Sequence, residues 1–284
     1  MNNTMETYAD AAKLDPLEAE LQPAKQPKHA LTNGVTPKIV TSIPEVPATV
    51  QRNPFIQPGK DERLPHMAEG PTRTGSLIRI SGVARANIAA TYEKPSGTTE
   101  GGWAENHRDQ TVLQQHLEFF DPDHDGIIWP TDTFRGFRAV GFNLFMSLLS
   151  VLIIHGFFSY PTTGSVLPDV FFRIYLARIH KDKHGSDTTT YDNEGRFVPQ
   201  NFENIFAKYA EGRDYLTKWD IVNVLKGQRV ILDPIGWGGA LFEWLATYLM
   251  LAENGKVAKE DIRRLYDGSI FQAVADRRAK KNKD

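Results

Sequence analysis

The sequence predicts a mainly α-helical protein. It combines a calcium-type helix–loop–helix (an EF-hand), a central apolar helix and turn at a membrane surface, a helical C-terminal half with degenerate EF-like loops, and a disordered N-terminus. Three observations lead to this fold class. Apolar residues recur at helical spacing from Gln110 onward, and an acidic loop with alternating aspartates interrupts them. Residues 140–160 contain no Asp, Glu, Lys or Arg.

Composition limits the chemistry that the chain can carry out. Its 284 residues allow one or two domains with a hydrophobic core. The chain has no cysteine, which excludes disulfides, thiolate zinc sites, a cysteine nucleophile and a haem held by cysteine. Its net charge of −2 does not favour nucleic acid as a partner.

Residues 1–109 form the first predicted region, and they contain most of the 17 prolines. No helical or strand periodicity is sustained there, so this region cannot bury enough apolar surface to offset the entropy lost on ordering. We expect it to be largely disordered. The exception is the sequence ARANIAATY at residues 84–92, which we expect to pack on the folded part.

Residues 110–141 form the predicted EF-hand. The loop positions that ligate calcium correspond to five residues, namely Asp121, Asp123, Asp125, the carbonyl of Ile127, and Asp132. Gly126 permits the sharp turn, and helical patterns flank the loop on both sides. Asp132 is shorter than the usual glutamate, which leaves the calcium affinity and the calcium–magnesium preference open. Loops near Gly212 and Gly255 lack carboxylates at the ligand positions, so we expect one cation per chain.

Residues 142–180 form the predicted anchor. At ~1.5 Å per residue, the apolar run would make a helix of roughly 31 Å, about the thickness of a bilayer core. Polar residues interrupt the run, a turn bracketed by Pro161 and Pro168 follows it, and residues 166–179 are again rich in apolar and aromatic residues, as a returning amphipathic segment. This order predicts a monotopic anchor that re-emerges on the side where it entered. The alternative is the buried core helix of a soluble domain.

Residues 181–284 form the predicted helical C-terminal domain. Pro199 suits the first turn of a helix, and Phe202, Ile205 and Phe206 follow at helical spacing. Helical patterns continue over residues 216–226, 236–251 and 259–265. The chain ends in a basic tail.

The histidines leave alternatives open. His116 lies on the apolar stripe of its helix, where a packed core histidine is more usual than a ligand. His180 and His184 have the H-x-x-x-H spacing that places two imidazoles on one face of a helix. That pair is a weak zinc signal because no third ligand is evident. His124 and His155 need no function.

Several separated motifs occur in a specific order. They are LQQHLEFFDPDHDGIIWPTDTFRGFRAVGFN, an apolar run, a proline-bearing turn, IHKDKHGSDTTTYDNEGRFVPQNFENIFAKYA and RRLYDGSIF. Together they resemble the caleosins, lipid-droplet proteins that include haem-dependent peroxygenases, over about residues 84–272. The WP pair after the loop glycine and the long proline-rich N-terminus suit a fungal member.

The resemblance implies two cofactors, haem b and Ca²⁺. Two histidines linked to haem and activity in the family correspond to His116 and His184, and iron ligation and acid–base work are not distinguished between them. The turn with Pro161 and Pro168 corresponds to the family's proline knot, which is denser in plant members. The implied location is the lipid droplet, with further pools at the endoplasmic reticulum or other membranes and the protein domains facing the cytosol.

The first functional hypothesis is a calcium-binding haem peroxygenase, an oxidoreductase that uses hydroperoxides to epoxidise or hydroxylate unsaturated fatty acids, giving oxylipins. Its partners would be the lipid surface, fatty acids and lipid hydroperoxides. The alternative is a non-enzymatic, calcium-regulated coat protein of lipid droplets. A soluble calcium sensor is disfavoured, because there is one competent loop and no methionine-rich face. Self-association into a homo-oligomer stays an open alternative.

Overall fold

The computed structural model describes residues 87–107 and 109–281, so the predicted disorder of residues 1–86 lies outside the described residues. The described part is mainly helical, as predicted. Short 3-10 helices span Glu100–Gly102 and Leu176–Asp182. The α-helices and strands follow in chain order: α1 Trp103–Asn106, α2 Val112–Glu118, β1 Ile127–Ile128, α3 Pro130–Ala139, α4 Leu144–Thr163, β2 Ile174–Tyr175, α5 Pro199–Tyr209, β3 Tyr215–Thr217, α6 Lys218–Gln228, α7 Pro234–Leu251, β4 Lys256–Ala258, α8 Lys259–Tyr266 and α9 Ser269–Lys281.

The first helix–loop–helix consists of α2, β1 and α3. Thr111 caps α2, because its side chain accepts a hydrogen bond from the Gln114 N–H while the Gln114 side chain accepts one from the Thr111 N–H. Pro130 occupies the first turn of α3, where no intrahelical N–H bond is lost. Strand β1 pairs antiparallel with β2, with Ile128 opposite Ile174. The acidic loop therefore takes its partner strand from the segment that follows the apolar helix.

Two further helix–strand–helix units pair with each other. One consists of α5, β3 and α6, and the other of α7, β4 and α8. Strands β3 and β4 are antiparallel, with Leu216 opposite Val257, and both of these side chains are fully buried. The two C-terminal loops thus meet each other and not the acidic loop.

One hydrophobic cluster joins the N- and C-terminal halves of the described chain. Its most buried members come from both halves, namely Val112, Ile128, Ile174, Phe197, Phe202, Ile205, Leu216, Val257, Ile262 and Ile270. Residues 88–91 pack on this folded part, so the expectation for the ARANIAATY segment is confirmed for these residues. The guanidinium of the fully buried Arg263 donates to the Ala89 carbonyl at 3.0 Å. That hydrogen bond ties the early segment to α8.

The apolar run forms α4, which begins after the Asn143 cap. The prediction that a turn replaces the helix at Pro161 is wrong, because Pro161 lies inside α4 and the helix continues to Thr163. The helix ends at Gly164, whose φ of +66° is the left-handed conformation that glycine adopts readily. Pro168 lies in the loop that follows. The returning segment consists of a loop, β2 and a 3-10 helix.

Candidate functional site

A cavity of about 810 Å³ lies among α2, α4, α7 and α8. Its volume falls in the range of small-molecule and cofactor sites. Most of its wall is aliphatic or aromatic, and among its polar residues are His116, Asp182, His184 and Glu243. The two predicted histidines, which are far apart in the sequence, therefore line one interior space.

His116 projects from α2 into this cavity. Its Nδ1 lies 2.6 Å from the carbonyl oxygen of Leu265 on α8. Because a carbonyl can only accept, Nδ1 carries the proton in this hydrogen bond and Nε2 keeps its lone pair. Burial lowers the pKa of His116, so the ring is held neutral. A neutral imidazole with one nitrogen fixed by a carbonyl is the form in which histidine binds metals.

The turn between α8 and α9 holds the backbone of α2 at His116. Gly268 lies in this turn with a φ of +76°. A Cβ at this position would lie 2.3 Å from the Gln115 carbonyl oxygen and 2.8 Å from the His116 Cα. The edge of the Phe271 ring also meets the imidazole, with ring centroids 5.2 Å apart. Only glycine allows this close approach, which fixes the position of the His116 backbone at the cavity wall.

His184 reaches the cavity from the segment that follows the second 3-10 helix. Its Nε2 lies 3.7 Å from the Glu243 carboxylate on α7. Glu243 raises the pKa of His184, and this effect exceeds the opposing effect of burial. Among the described residues, the buried Nδ1 has no hydrogen-bond partner. One turn before Glu243, Gly239 gives the ring room, because a Cβ there would lie 3.3 Å from Nε2.

Sequence reasoning missed Asp182. This residue lines the same cavity, and neither of its carboxylate oxygens has a hydrogen-bond partner in the described part of the chain. Burial raises the pKa of Asp182 to about 8. No sequence signal marks it, because it stands between two lysines in a polar stretch and only the fold removes it from water.

Two further histidines that the structure describes, His180 and His155, do not form a second site. The 3-10 helix ends at Asp182, so His184 lies outside it and the H-x-x-x-H pair does not share a helical face. His155 is buried, with Nε2 2.7 Å from the Thr133 hydroxyl and Nδ1 2.6 Å from the Phe172 carbonyl. It is thus a satisfied packing residue that joins α3, α4 and the following loop.

The acidic loop gathers three of the predicted metal ligands. Oxygens of Asp121, Asp123 and Asp125 all lie within 4.8 Å of one another. Asp121 is buried, and its Oδ1 has no hydrogen-bond partner among the described residues. Burial, with the neighbouring carboxylates, raises the pKa of Asp121. A buried carboxylate with a free oxygen beside two others suits a hard divalent cation.

One predicted ligand, Asp132, is placed differently, and the predicted carbonyl ligand of Ile127 stays a prediction. Asp132 lies outside this group of three, and its Oδ2 accepts a hydrogen bond from the Trp129 N–H at 3.0 Å, capping α3. Ile127 lies in β1, and its N–H donates to Asp125 at 2.7 Å. The doubt that the sequence attached to Asp132 therefore has a structural basis, because its carboxylate is engaged at the helix N-terminus.

Helix α4 has an unusual distribution of polarity. Its buried side chains are polar: Ser147, Ser150, His155, Ser159 and Thr162. Its exposed ones are large and apolar: Leu144, Phe145, Leu148, Leu152, Phe157 and Tyr160. Within the described residues, α4 is the helix with the length and composition to cross a membrane, and its most apolar 18-residue stretch has a mean hydropathy of 1.7 and is only 22% buried. A core helix would instead be mostly buried.

Comparison with known proteins gives consistent results. A family model described as "Caleosin related protein" matches residues 108–275. The chain is 37% identical over 254 residues to "Peroxygenase" of Lilium longiflorum, which covers 89% of this chain and 98% of the relative. It is 38% identical over 175 residues to "Probable peroxygenase 4" of Arabidopsis thaliana, covering 61% and 90% respectively. A "Probable inactive peroxygenase-like protein" of the same plant is 33% identical over 151 residues, covering 51% and 70%. No solved structure matches the chain.

Proposed function

The chain belongs to the caleosin family and is a peroxygenase, and from this premise we propose that it is a calcium-binding haem enzyme. It would use hydroperoxides to epoxidise or hydroxylate unsaturated fatty acids at the surface of lipid droplets. The single observation that carries this proposal is the cavity that His116 and His184 share. In this proposal the apolar cavity holds two imidazoles, that of His116 to bind the metal and that of His184 to carry a proton.

His116 fits the role of the iron ligand. The Leu265 carbonyl fixes its Nδ1, and the neutral ring leaves Nε2 available in the cavity. Gly268 packs against the backbone at His116 and Phe271 packs against the imidazole, so both hold His116 in the cavity wall. Leu265, Gly268 and Phe271 all lie in or beside the RRLYDGSIF motif.

The other residues also fit a haem. The cavity volume and its apolar wall suit a planar macrocycle, and the unpartnered Nδ1 of His184 gives a polar group inside the same space. When bound, a haem would supply the oxygen-transfer chemistry between the hydroperoxide and the acyl chain. The protein supplies the ligand, the orientation and the protons.

His184 fits the role of the proton-carrying group. Because Glu243 raises the pKa of His184, the ring keeps its proton to a higher pH than a free imidazole does and can act as a proton donor and acceptor. Its Nδ1 would move a proton between the two oxygens of a bound hydroperoxide, while Nε2 stays directed at Glu243. General acid–base groups of this kind typically contribute about 10²–10⁴-fold to the rate.

The remaining features support binding of calcium and lipid. Asp121 follows His116 by five residues, so an ion held by Asp121, Asp123 and Asp125 would brace the end of the helix that carries His116. The apolar outer face of α4 would lie in the droplet monolayer as a monotopic anchor. Apolar cavity walls favour an acyl chain as the second substrate.

The haem spectrum and the turnover of three variants test the proposal. We expect His116→Ala to lose the Soret band of the purified protein. His184→Ala should keep that band and lose activity on a fatty-acid hydroperoxide by at least about 100-fold. His180→Ala is the matched control, since His180 does not line the cavity, and it should behave as the wild type.

The alternative function is a calcium-regulated coat protein of lipid droplets without enzymatic activity. The exposed apolar face of α4 would serve that role equally well, and one relative bears the name of an inactive peroxygenase-like protein. A wild-type protein that binds droplets but retains no haem after reconstitution would favour this alternative and contradict the haem enzyme.

A further inference from the structure

A second apolar surface lies on α7 and the segment before it. Glu243 is the one Asp, Glu, Lys or Arg residue in the 18 residues of α7. Leu241, Leu245 and Leu249 recur every four residues along one face, and about half of each side chain is exposed. Just before the helix, Ile231 and Leu232 are 86% and 87% exposed. Contiguous apolar surface of this kind marks a contact with a partner or a membrane.

This surface borders the cavity. Phe157 of α4 is half exposed and also lines the cavity, and the same holds for Ile235 of α7. The cavity therefore reaches the surface between α4 and α7. Apart from Glu243, the exposed side chains of α4 and α7 on both sides of this mouth are apolar, so apolar surface continues from the outer face of α4 to α7 around the opening.

An aromatic and basic margin accompanies the apolar residues. The Arg229 guanidinium lies 5.1 Å from the centroid of the Trp237 ring, and the Trp237 indole N–H donates to the Val230 carbonyl at 2.7 Å. Tryptophan and arginine are typical of membrane interfaces, where their apolar parts contact hydrocarbon and their polar parts contact headgroups. The one acidic residue of α7, Glu243, faces His184 inside the mouth.

We propose that α7 and residues 230–232 form a second lipid-binding surface that contacts the same monolayer as α4. The mouth of the cavity then opens onto the acyl chains, and substrate enters from the lipid without crossing water. A lipid monolayer fits better than a protein partner, because Leu241, Leu245 and Leu249 present only hydrocarbon, while the Trp237 N–H is already bonded to Val230 and Glu243 faces His184. The lipid contact is independent of the proposed peroxygenase chemistry, whereas the route of entry rests on it.

A site-specific probe tests the lipid contact directly. Because the chain has no cysteine, single substitutions Leu245→Cys, Leu152→Cys and Gln272→Cys give unique labelling sites in the full-length protein. The three positions lie on α7, on the outer face of α4, and on the exposed polar face of α9, which is the control. Each variant carries an environment-sensitive nitrobenzoxadiazole label and is mixed with triolein droplets coated with phosphatidylcholine.

We expect the labels at positions 245 and 152 to shift to shorter emission wavelengths and to be quenched by acyl-chain spin-labelled lipid, with the label at 272 unchanged. A label at 245 that stays in water while that at 152 enters the lipid would overturn the proposal. A shift at 245 without lipid and without quenching would also overturn it, since it would indicate an interface between copies of the chain.

A double variant tests the contribution to binding. Leu241→Gln with Leu245→Gln removes two outward side chains that do not line the cavity. It should weaken partition into droplets about tenfold, because two leucines no longer enter the hydrocarbon. The control is Trp219→Gln, at an exposed apolar residue of α6, and it should leave partition unchanged. An equal loss in both variants, or none in the double variant, contradicts the proposal.

Turnover then separates the route of entry from the chemistry. The double variant should keep its activity on a water-soluble hydroperoxide and acceptor and lose activity on droplet-borne unsaturated lipid. Equal activity of the double variant and the wild type on the droplet substrate would contradict the proposal that substrate enters from the lipid. A wild type inactive on every hydroperoxide and lipid acceptor would refute the proposed haem chemistry, while the labels would still decide the lipid contact.

Discussion

Two regions of this molecule share a helix–strand–helix arrangement but differ in whether their buried polar atoms have hydrogen-bond partners. The first comprises α2, the acidic loop and α3, together with residues 182–184, which line the cavity. The second comprises the two units joined by β3 and β4. Over residues 199–281 of the described chain, no buried side-chain nitrogen or oxygen lacks a hydrogen-bond partner. In the first region, Asp121 and His184 each have one such unpartnered atom, and Asp182 has two.

The second region supplies its own cations. The Lys259 ammonium lies 2.8 Å from Glu203 and 3.0 Å from Glu93, and Arg213 lies 3.0 Å from Asp220 beside the β3 loop. An unpartnered buried polar atom costs about 1–3 kcal/mol, so the first region is stable only if other interactions offset that cost or a ligand removes it. Helix–strand–helix geometry alone therefore does not indicate an ion site. Buried donors and acceptors without hydrogen-bond partners are the better indicator of such a site.

The largest expected effect is a loss of stability when an ion pair of the second region is removed. Lys259→Met leaves the Glu203 carboxylate buried without its cation, which typically costs about 3–5 kcal/mol. Equilibrium unfolding in urea measures the loss. Lys226→Met, at an exposed position on α6, is the matched control and should change stability by less than about 0.5 kcal/mol. A loss below about 1 kcal/mol for Lys259→Met would show that this network does not hold the pair of units together.

Calcium should stabilise the first region and leave the second unaffected. At a free concentration of about 100 times Kd, the ion should add about 2.7 kcal/mol to the free energy of unfolding. Asp123→Asn with Asp125→Asn should abolish this increment, as measured by thermal unfolding with calcium and with chelator. Asp220→Asn is the control in the second region, where it should lower stability and keep the full calcium increment. An increment that survives in the Asp123–Asp125 variant would place the ion elsewhere.

The cavity wall should make stability depend on pH. Because burial raises the pKa of Asp182 to about 8, the folded protein binds a proton that the unfolded chain has already lost. Without added haem, stability should therefore fall as pH rises from about 4 to about 8. Asp182→Asn should gain about 1–2 kcal/mol over the wild type at pH 8, because water reaches part of this side chain, and should match it at pH 4. If the free energies of unfolding of the variant and the wild type differ by the same amount at every pH, the difference comes from packing and not from the titration of Asp182.

The smallest expected effect concerns the His184–Glu243 pair. A raised pKa means that this pair contributes its full stability below the unfolded histidine value near 6.5 and loses it as pH rises through the folded value. Glu243→Gln should remove that pH dependence, worth under about 1 kcal/mol because about half of the Glu243 side chain is exposed. Titration of the His184 ring by NMR gives the direct measurement. An unchanged pKa in the variant would show that Glu243 does not set it.

Short-range patterns determined most of the elements. The spacing of apolar residues located α2, α3 and α5, and Pro199 marked the start of α5. The alternation of Asp121, Asp123 and Asp125 selected three carboxylates that meet in space. The interruption of helix α4 predicted at Pro161 was wrong, because a proline in the last turn disrupts only backbone bonds to the preceding turn.

Local sequence was enough to indicate most of the helices, the acidic loop and the family motifs of the chain, because these depend on residues within a few positions of one another. The tertiary structure decided which polar groups lose water. It paired β1 with β2, placed His116 and His184 in one cavity, buried Asp182, and turned the leucines of α7 outward. Burial depends on contacts between distant parts of the chain, and no local pattern contains that information.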